Sequence, residues 1–206
     1  MSFVTMFSSP GPDDDDQHET WTRQPPWFKP EDELGAPVPL GGVIARSERS
    51  VVALSQVVAH SSGVSLEFLA LARGLKRADA NRIFHEQHLF DEGEPSDTFL
   101  RIGLELADGT RVSNLGGHRG MRRAFAGEEP DGPILMPNGG GGGNGMPDAV
   151  SMRPGYWLWP LPPAGALRVW CEWPALEIPL SSLELDADAI REAAQRALPL
   201  WPAAPS

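Results

Sequence analysis

His85-x-x-His88, with Asp91 and Glu92 just beyond, carries the donor types of a metal site. On a helix, positions i and i+3 share a face, so two imidazoles there could hold a divalent cation for a metal-dependent reaction. The glutamate of an HExxH arrangement is missing and the predicted helix ends at this point. A solvated charged turn is the plainer reading, and no metal is expected. Cys171, the single cysteine, could pair with His60 or His118 as nucleophile and base. A lone cysteine between two tryptophans in a strand is more often a small buried hydrophobe. No serine stands in a G-x-S-x-G elbow. No catalytic residue is therefore assigned.

Two further groups could bind rather than react. Asn138 is followed by five glycines and then by Asn144-Gly145. Backbone N–H groups at Gly139, Gly141 and Gly143 could cradle an anion, and with His118 they outline a small-ligand binder or hydrolase. The run has no Gly-Lys-Ser/Thr ending and no Rossmann spacing, so no cofactor is expected. Glycine loses more entropy on ordering than any other residue, which favours a mobile connector. Four of the seven tryptophans fall in residues 150–173, VSMRPGYWLWPLPPAGALRVWCEW. Trp157 and Trp159 share a face of one strand-like run, and Trp170 shares a face with Arg168 in the next. Displayed indoles there could stack on a carbohydrate or peptide, while Trp27, in the N-terminal segment, either docks on the chain's own domain or belongs to a partner-binding peptide. Cross-strand packing, or cover by the N-terminal segment, is the plainer alternative.

Positioning these groups requires a frame, and the frame reads as β. The runs 156–159 and 166–173 flank the turn PLPPAG and predict a central hairpin. Val64, Leu66, Phe68 and Ala70 alternate with polar residues, as do Leu100, Ile102, Leu104 and Leu106. Period two with one apolar face predicts half-buried strands. Val51–His60 pairs with 64–72 through Ser61-Ser62-Gly63. Asp108-Gly109 predicts a second hairpin, with positive φ at both residues. Residues 38–45 predict an edge strand, 78–89 a short helix and 176–185 a last strand. Asp186 predicts an N-cap, followed by a helix over 187–198 that Pro199 ends, after which Leu200 and Trp201 tuck onto the body.

Residues 1–36 predict an extended N-terminal arm holding the acidic run Asp13–Asp16 and the aromatics Trp21, Trp27 and Phe28. Residues 37–206 predict one domain. Short strands at hairpin spacing without βαβ alternation make this an all-β chain. The fold class is an antiparallel β-sandwich of immunoglobulin-like architecture with a C-terminal helix.

Composition excludes several partners. A formal net charge of -11 opposes binding to nucleic acid or to anionic membrane, since phosphates attract basic surfaces. The local basic clusters are 73–77 (RGLKR) and 119–123 (RGMRR). No apolar run is long enough to span a bilayer, and no secretion signal opens the chain. One cysteine excludes a disulfide framework and fits a reducing compartment.

PPWFKPEDELGAPVPL, LRIGLELADGTRVSNL, the polyglycine run and YWLWPLPPAGALRVWCEWPALEIPLSSLELDADAI together carry a resemblance. The chain resembles, from Trp21 onward, a group of uncharacterised proteins of high-GC actinobacteria. These share a glycine run before a W-x-W-P-L-P-P-x-G hairpin and a C-E-W-P strand. The resemblance implies a coherent fold and a bacterial cytoplasmic setting, and no mechanism. The expected function is a non-enzymatic module that binds another protein through loops, the tryptophan-rich hairpin or the N-terminal arm. The alternatives are the ligand binder or hydrolase at the glycine run and the metal enzyme at His85 and His88.

Overall fold

The computed structural model describes residues 24–86, 95–115, 123–124, 126–139, 143–146 and 148–201, with the side chains of 84–86 and 143–146 outside that description. In chain order the strands are β1 (Glu33–Leu34), β2 (Ala36–Val38), β3 (Gly42–Arg46), β4 (Ser50–Ala59) and β5 (Val64–Arg73). Helix α1 (Arg77–Glu86) follows, then β6 (Arg101–Glu105), β7 (Arg111–Ser113), β8 (Ile134–Pro137) and β9 (Gly143–Met146). Strands β10 (Ala149–Met152), β11 (Gly155–Trp159), β12 (Ala166–Trp173) and β13 (Ile178–Asp186) precede helix α2 (Ala187–Ala194) and β14 (Leu198–Pro199).

Two antiparallel sheets face each other, an all-β sandwich as the alternation predicts. The larger is built on β4 and β5. Each is ten residues long, and each has two short strands laid end to end along its outer edge. Strands β2 and β3 pair with β4, and β11 and β10 pair with β5. Strands β8 and β9 continue from β11 and β10. The smaller sheet runs β13-β12-β6-β7.

Period two decides what lies between the sheets. Along β5 every even residue from Val64 to Ala72 is buried while the odd ones face outward. In β4 a bulge between Leu54 and Gln56 resets the phase, so Val52 and Leu54 point inward before it and Val57 and Ala59 after it. They meet Ile102, Leu104, Leu167, Val169, Cys171 and Trp173 of the smaller sheet. A polar bridge crosses this core. The Asn114 amide donates to Tyr156 Oη and to the Leu100 carbonyl, and its oxygen accepts from Ile102 N, each at 2.9 Å. A buried amide so satisfied avoids the desolvation cost of an unpaired polar group.

Several expectations are corrected. The runs 156–159 and 166–173 are strands, but they do not pair with each other. Strand β11 lies in the larger sheet between β5 and β8, and β12 lies in the smaller between β6 and β13. The turn PLPPAG is a crossover between sheets. The edge strand over 38–45 is two strands, β2 and β3, separated by Pro39–Gly41. The Asp108-Gly109 hairpin forms, but only Gly109 has positive φ, at 84°. Leu106 O accepts from Gly109 N at 2.9 Å, and Leu106 N donates to Thr110 O at 2.8 Å. That is a three-residue loop with glycine in the left-handed position, which leaves Asp108 unstrained.

Asp186 caps α2, its carboxylate accepting from Asp188 N at 2.9 Å. The helix ends at Ala194 rather than 198, because Leu198–Pro199 is drawn into pairing with Glu33–Leu34. The segment expected as an arm over 1–36 therefore contains β1 and the start of β2; residues 1–23, with Asp13–Asp16 and Trp21, lie outside the described residues.

Candidate interaction surface

The outer face of the larger sheet carries the first candidate. Strand alternation turns Trp157 and Trp159 outward, with Met136 and Ile134 opposite them on β8. Trp157 is nevertheless 1% exposed. Trp27 folds across it, and these two with Met136 and Ala124 form a second, smaller core against which Phe28, Ile134 and Trp159 pack. The indoles also fasten the segment. Trp157 Nε1 donates to the Trp27 carbonyl at 2.9 Å, and Trp27 Nε1 to the Ala124 carbonyl at 3.2 Å. Trp27 and Trp159 meet edge to face at 6.5 Å. The indole ladder is thus covered by the chain's own N-terminal segment.

Trp170 is elsewhere. It is half-buried on the outer face of the smaller sheet, with the Arg168 guanidinium 5.9 Å from its ring centre. Arg168 is itself held by Glu184 at 2.8 Å and Glu105 at 3.4 Å. Trp157 and Trp170 belong to different sheets, so no single surface displays both.

The glycine run divides. Gly139 follows β8 with φ 60°, and its carbonyl would lie 2.9 Å from a Cβ on Gly155. Gly143 begins β9 and pairs with Met152, so the tail of the run is a strand rather than a connector. Gly141 lies outside the described residues, as do His118 and His88; His85 is on α1 with its side chain undescribed. Among the described residues no group of three or more His, Cys, Asp or Glu is placed to hold a metal ion.

Cys171 is buried in the core, and burial pushes its thiol up to about 12, which leaves almost no thiolate near neutrality. His60 is also buried, on the outer side of β4. Its ring meets Trp157 edge to face at 5.5 Å. Burial foremost, then the Lys29 charge, holds its pKa below the ordinary value, against a smaller opposite pull from Glu33. Neither residue has the setting of an activated nucleophile or a free base.

The surface left open rests on a pair, Leu34 and Leu198, that the sequence does not single out. Strands β1 and β14 form a two-stranded ribbon, with Leu34 opposite Leu198 and Glu33 opposite Pro199. Leu200 N continues the ladder to the Asp32 carbonyl at 2.7 Å. Glu33 faces the body, where it accepts from Ser61 N at 2.8 Å and lies 3.4 Å from His60. Alternation then sends Leu34, Leu198 and Leu200 the other way. They are 60%, 60% and 55% exposed, and Trp201 follows at 74%. Leu200 and Trp201 do not tuck onto the body, because the ribbon's inner side is already occupied by Glu33. The available signal was the acidic stretch Glu31–Glu33 beside an isolated leucine, which has no meaning until Leu198 is placed opposite it.

No helix among the described residues is long and apolar enough to cross a membrane. No protein-family model, curated protein or solved structure matches the chain.

Proposed function

We propose that the protein is a non-enzymatic interaction module of the bacterial cytoplasm that docks a protein partner on the β1–β14 ribbon. The observation that carries this reading is Leu34, Leu198 and Leu200, three large apolar side chains left in water on one face of a short ribbon, with exposed Trp201 next in the chain. Apolar side chains grouped rather than scattered on a surface mark an interaction site, and an exposed tryptophan is a favoured anchor at interfaces. Glu31 and Asp32, both exposed, flank the cluster on a chain of net charge -11. Charge complementarity therefore selects a partner with an apolar patch rimmed by Lys or Arg, and disfavours a second copy of this acidic chain. The buried, unreactive Cys171 suits a reducing compartment.

The test places a photo-crosslinking amino acid at Leu200 and, as control, at Glu129, in cells expressing the full chain at native level. One crosslinked protein at position 200 only, lost in a Leu34→Ser/Leu198→Ser variant and weakened by added salt, supports the reading. Equal crosslinking at both positions, none at either, or crosslinks to this chain itself overturns it.

A further inference from the structure

At the opposite end of β4 from the ribbon, the outer face of the larger sheet holds a cavity of about 500 Å³, the size of a small-molecule site. Its floor is one cross-strand row. Arg46 pairs with Val51, Val51 with Leu71, and Leu71 with Ser151, so all four stand on the same face. Arg49 joins from the β3–β4 turn and Arg73 from the end of β5.

The arginines are set on a fastened frame. Ser47 and Ser50 hydroxyls lie 2.7 Å apart, and both donate to the Leu176 carbonyl, which pins the turn to the connection between β12 and β13. Arg73 N donates to the Arg49 carbonyl at 2.9 Å, and Arg73 Nη2 to the Glu48 carbonyl at 3.2 Å.

Charge sets this cavity apart from the rest of the surface. Elsewhere on the described chain Arg82, Arg101, Arg111, Arg123, Arg153, Arg168 and Arg196 each have a carboxylate partner; Arg77 and Arg191 show none, and neither lines this cavity. Among the described residues, Arg46, Arg49 and Arg73 show no ion pair, and these three arginines line the cavity against one acidic residue, Glu48. On a chain of net charge -11, three clustered cations without carboxylate partners are a local reversal of sign. At physiological salt the distant carboxylates are screened beyond about 8 Å, so the local field governs a small ligand, while a long polyanion still meets the acidic remainder.

The chemistry of three guanidinium forks narrows the ligand. A carboxylate engages one fork and leaves two neighbouring cations uncompensated. A phosphate monoester offers three terminal oxygens, one for each fork, and close to two charges, so it compensates one more cation than a carboxylate does. Val51 and Leu71, half-buried at the floor, give an apolar rest for the organic part. We propose that Arg46, Arg49 and Arg73 form a binding site for the phosphate group of a small phosphate ester, whose apolar body lies on Val51 and Leu71.

The experiment titrates isotope-labelled full-length protein with phenyl phosphate, inorganic phosphate and benzoate, followed by amide chemical shifts. Phenyl phosphate is expected to saturate shifts at Val51, Leu71 and Ser151, to bind more tightly than the other two, and to weaken as salt rises. Arg46→Gln and Arg73→Gln should each weaken it about tenfold, the scale of one charge-assisted hydrogen bond. Arg77→Gln, outside the cavity lining, should leave it unchanged, and Leu71→Ala should weaken phenyl phosphate but not inorganic phosphate. Shifts that do not saturate, equal weakening by Arg77→Gln, or benzoate binding as tightly as phenyl phosphate overturns the proposal. The ribbon variant Leu34→Ser/Leu198→Ser should titrate like wild type, so this site and the partner surface stand or fall separately.

Discussion

His60 is 3% exposed, and neither ring nitrogen has a hydrogen-bond partner. Glu33 Oε1 is 3.4 Å from Nδ1, a charge contact without hydrogen-bond geometry. Gly35 leaves the space the ring fills, since a Cβ there would lie 2.5 Å from Nε2. The charged groups acting on the imidazole are Lys29 and Glu33. Burial and Lys29 outweigh Glu33, so the folded protein holds His60 neutral to a lower pH than the unfolded chain does, whose ordinary value is 6.5. The unfolded state then takes up the proton first as pH falls. The stability is complete above about 6.5 and is lost progressively from there toward the lowered native value. A series of thermal unfolding curves descending from neutral pH should show this loss in wild type. His60→Gln should be flatter over the same interval, because its amide does not titrate. Parallel curves for the two proteins would show that other groups carry the acid sensitivity. In the sequence His60 was only a possible base for Cys171. Its actual setting depends on Glu33, Gly35 and Trp157, which lie at three distances along the chain.

At the scale of elements, local periodicity is written in neighbouring residues and pairing is not. The alternation of 64–72 and 100–106, the Asp186 cap and the turn at 61–63 could all be read directly, because each is a property of a few consecutive residues. The partner of β11 could not. Six residues, Pro160–Gly165, reverse the chain equally well into a hairpin or across to a second sheet. The choice falls to β5, whose edge accepts β11, and to β6, whose edge accepts β12. One close contact sets the first of these. The β4–β5 turn runs so near β11 that a Cβ on Gly63 would lie 2.4 Å from the Leu158 carbonyl and 2.5 Å from the Trp157 indole. Real atoms do not approach so closely, and neither the backbone carbonyl nor the buried indole can step aside cheaply. Gly63→Ala should therefore lower unfolding stability by about 1–3 kcal/mol, the usual range for overpacking. It should also shift tryptophan emission to the red as Trp157 loosens from Trp27. Denaturant unfolding with fluorescence detection reads both, and an unchanged midpoint would show that the turn has room to move.

For the molecule as a whole, the candidate surfaces occupy opposite ends of β4, and neither is where tryptophan density pointed. The sequence drew attention to indoles because they are large and grouped. Grouping, however, is also how a small core covers itself, and Trp27, Trp157 and Trp159 do so. The ribbon leucines were illegible because Leu34 and Leu198, far apart in sequence, come together only when β1 pairs with β14. A free binding surface and a loosely packed one differ in what their removal does to folding. The ribbon is held to the body by Glu33 accepting from Ser61 N and is closed on itself by the Leu200–Asp32 backbone bond, and neither uses the outward side chains. A Leu34→Ser/Leu198→Ser/Trp201→Ser variant should thus unfold within about 0.5 kcal/mol of wild type, as exposed substitutions generally do. Its solubility should rise, since three large apolar groups leave the surface. A loss of several kcal/mol would mean instead that these side chains are covered within the same chain, and the ribbon would then be structure rather than a docking face.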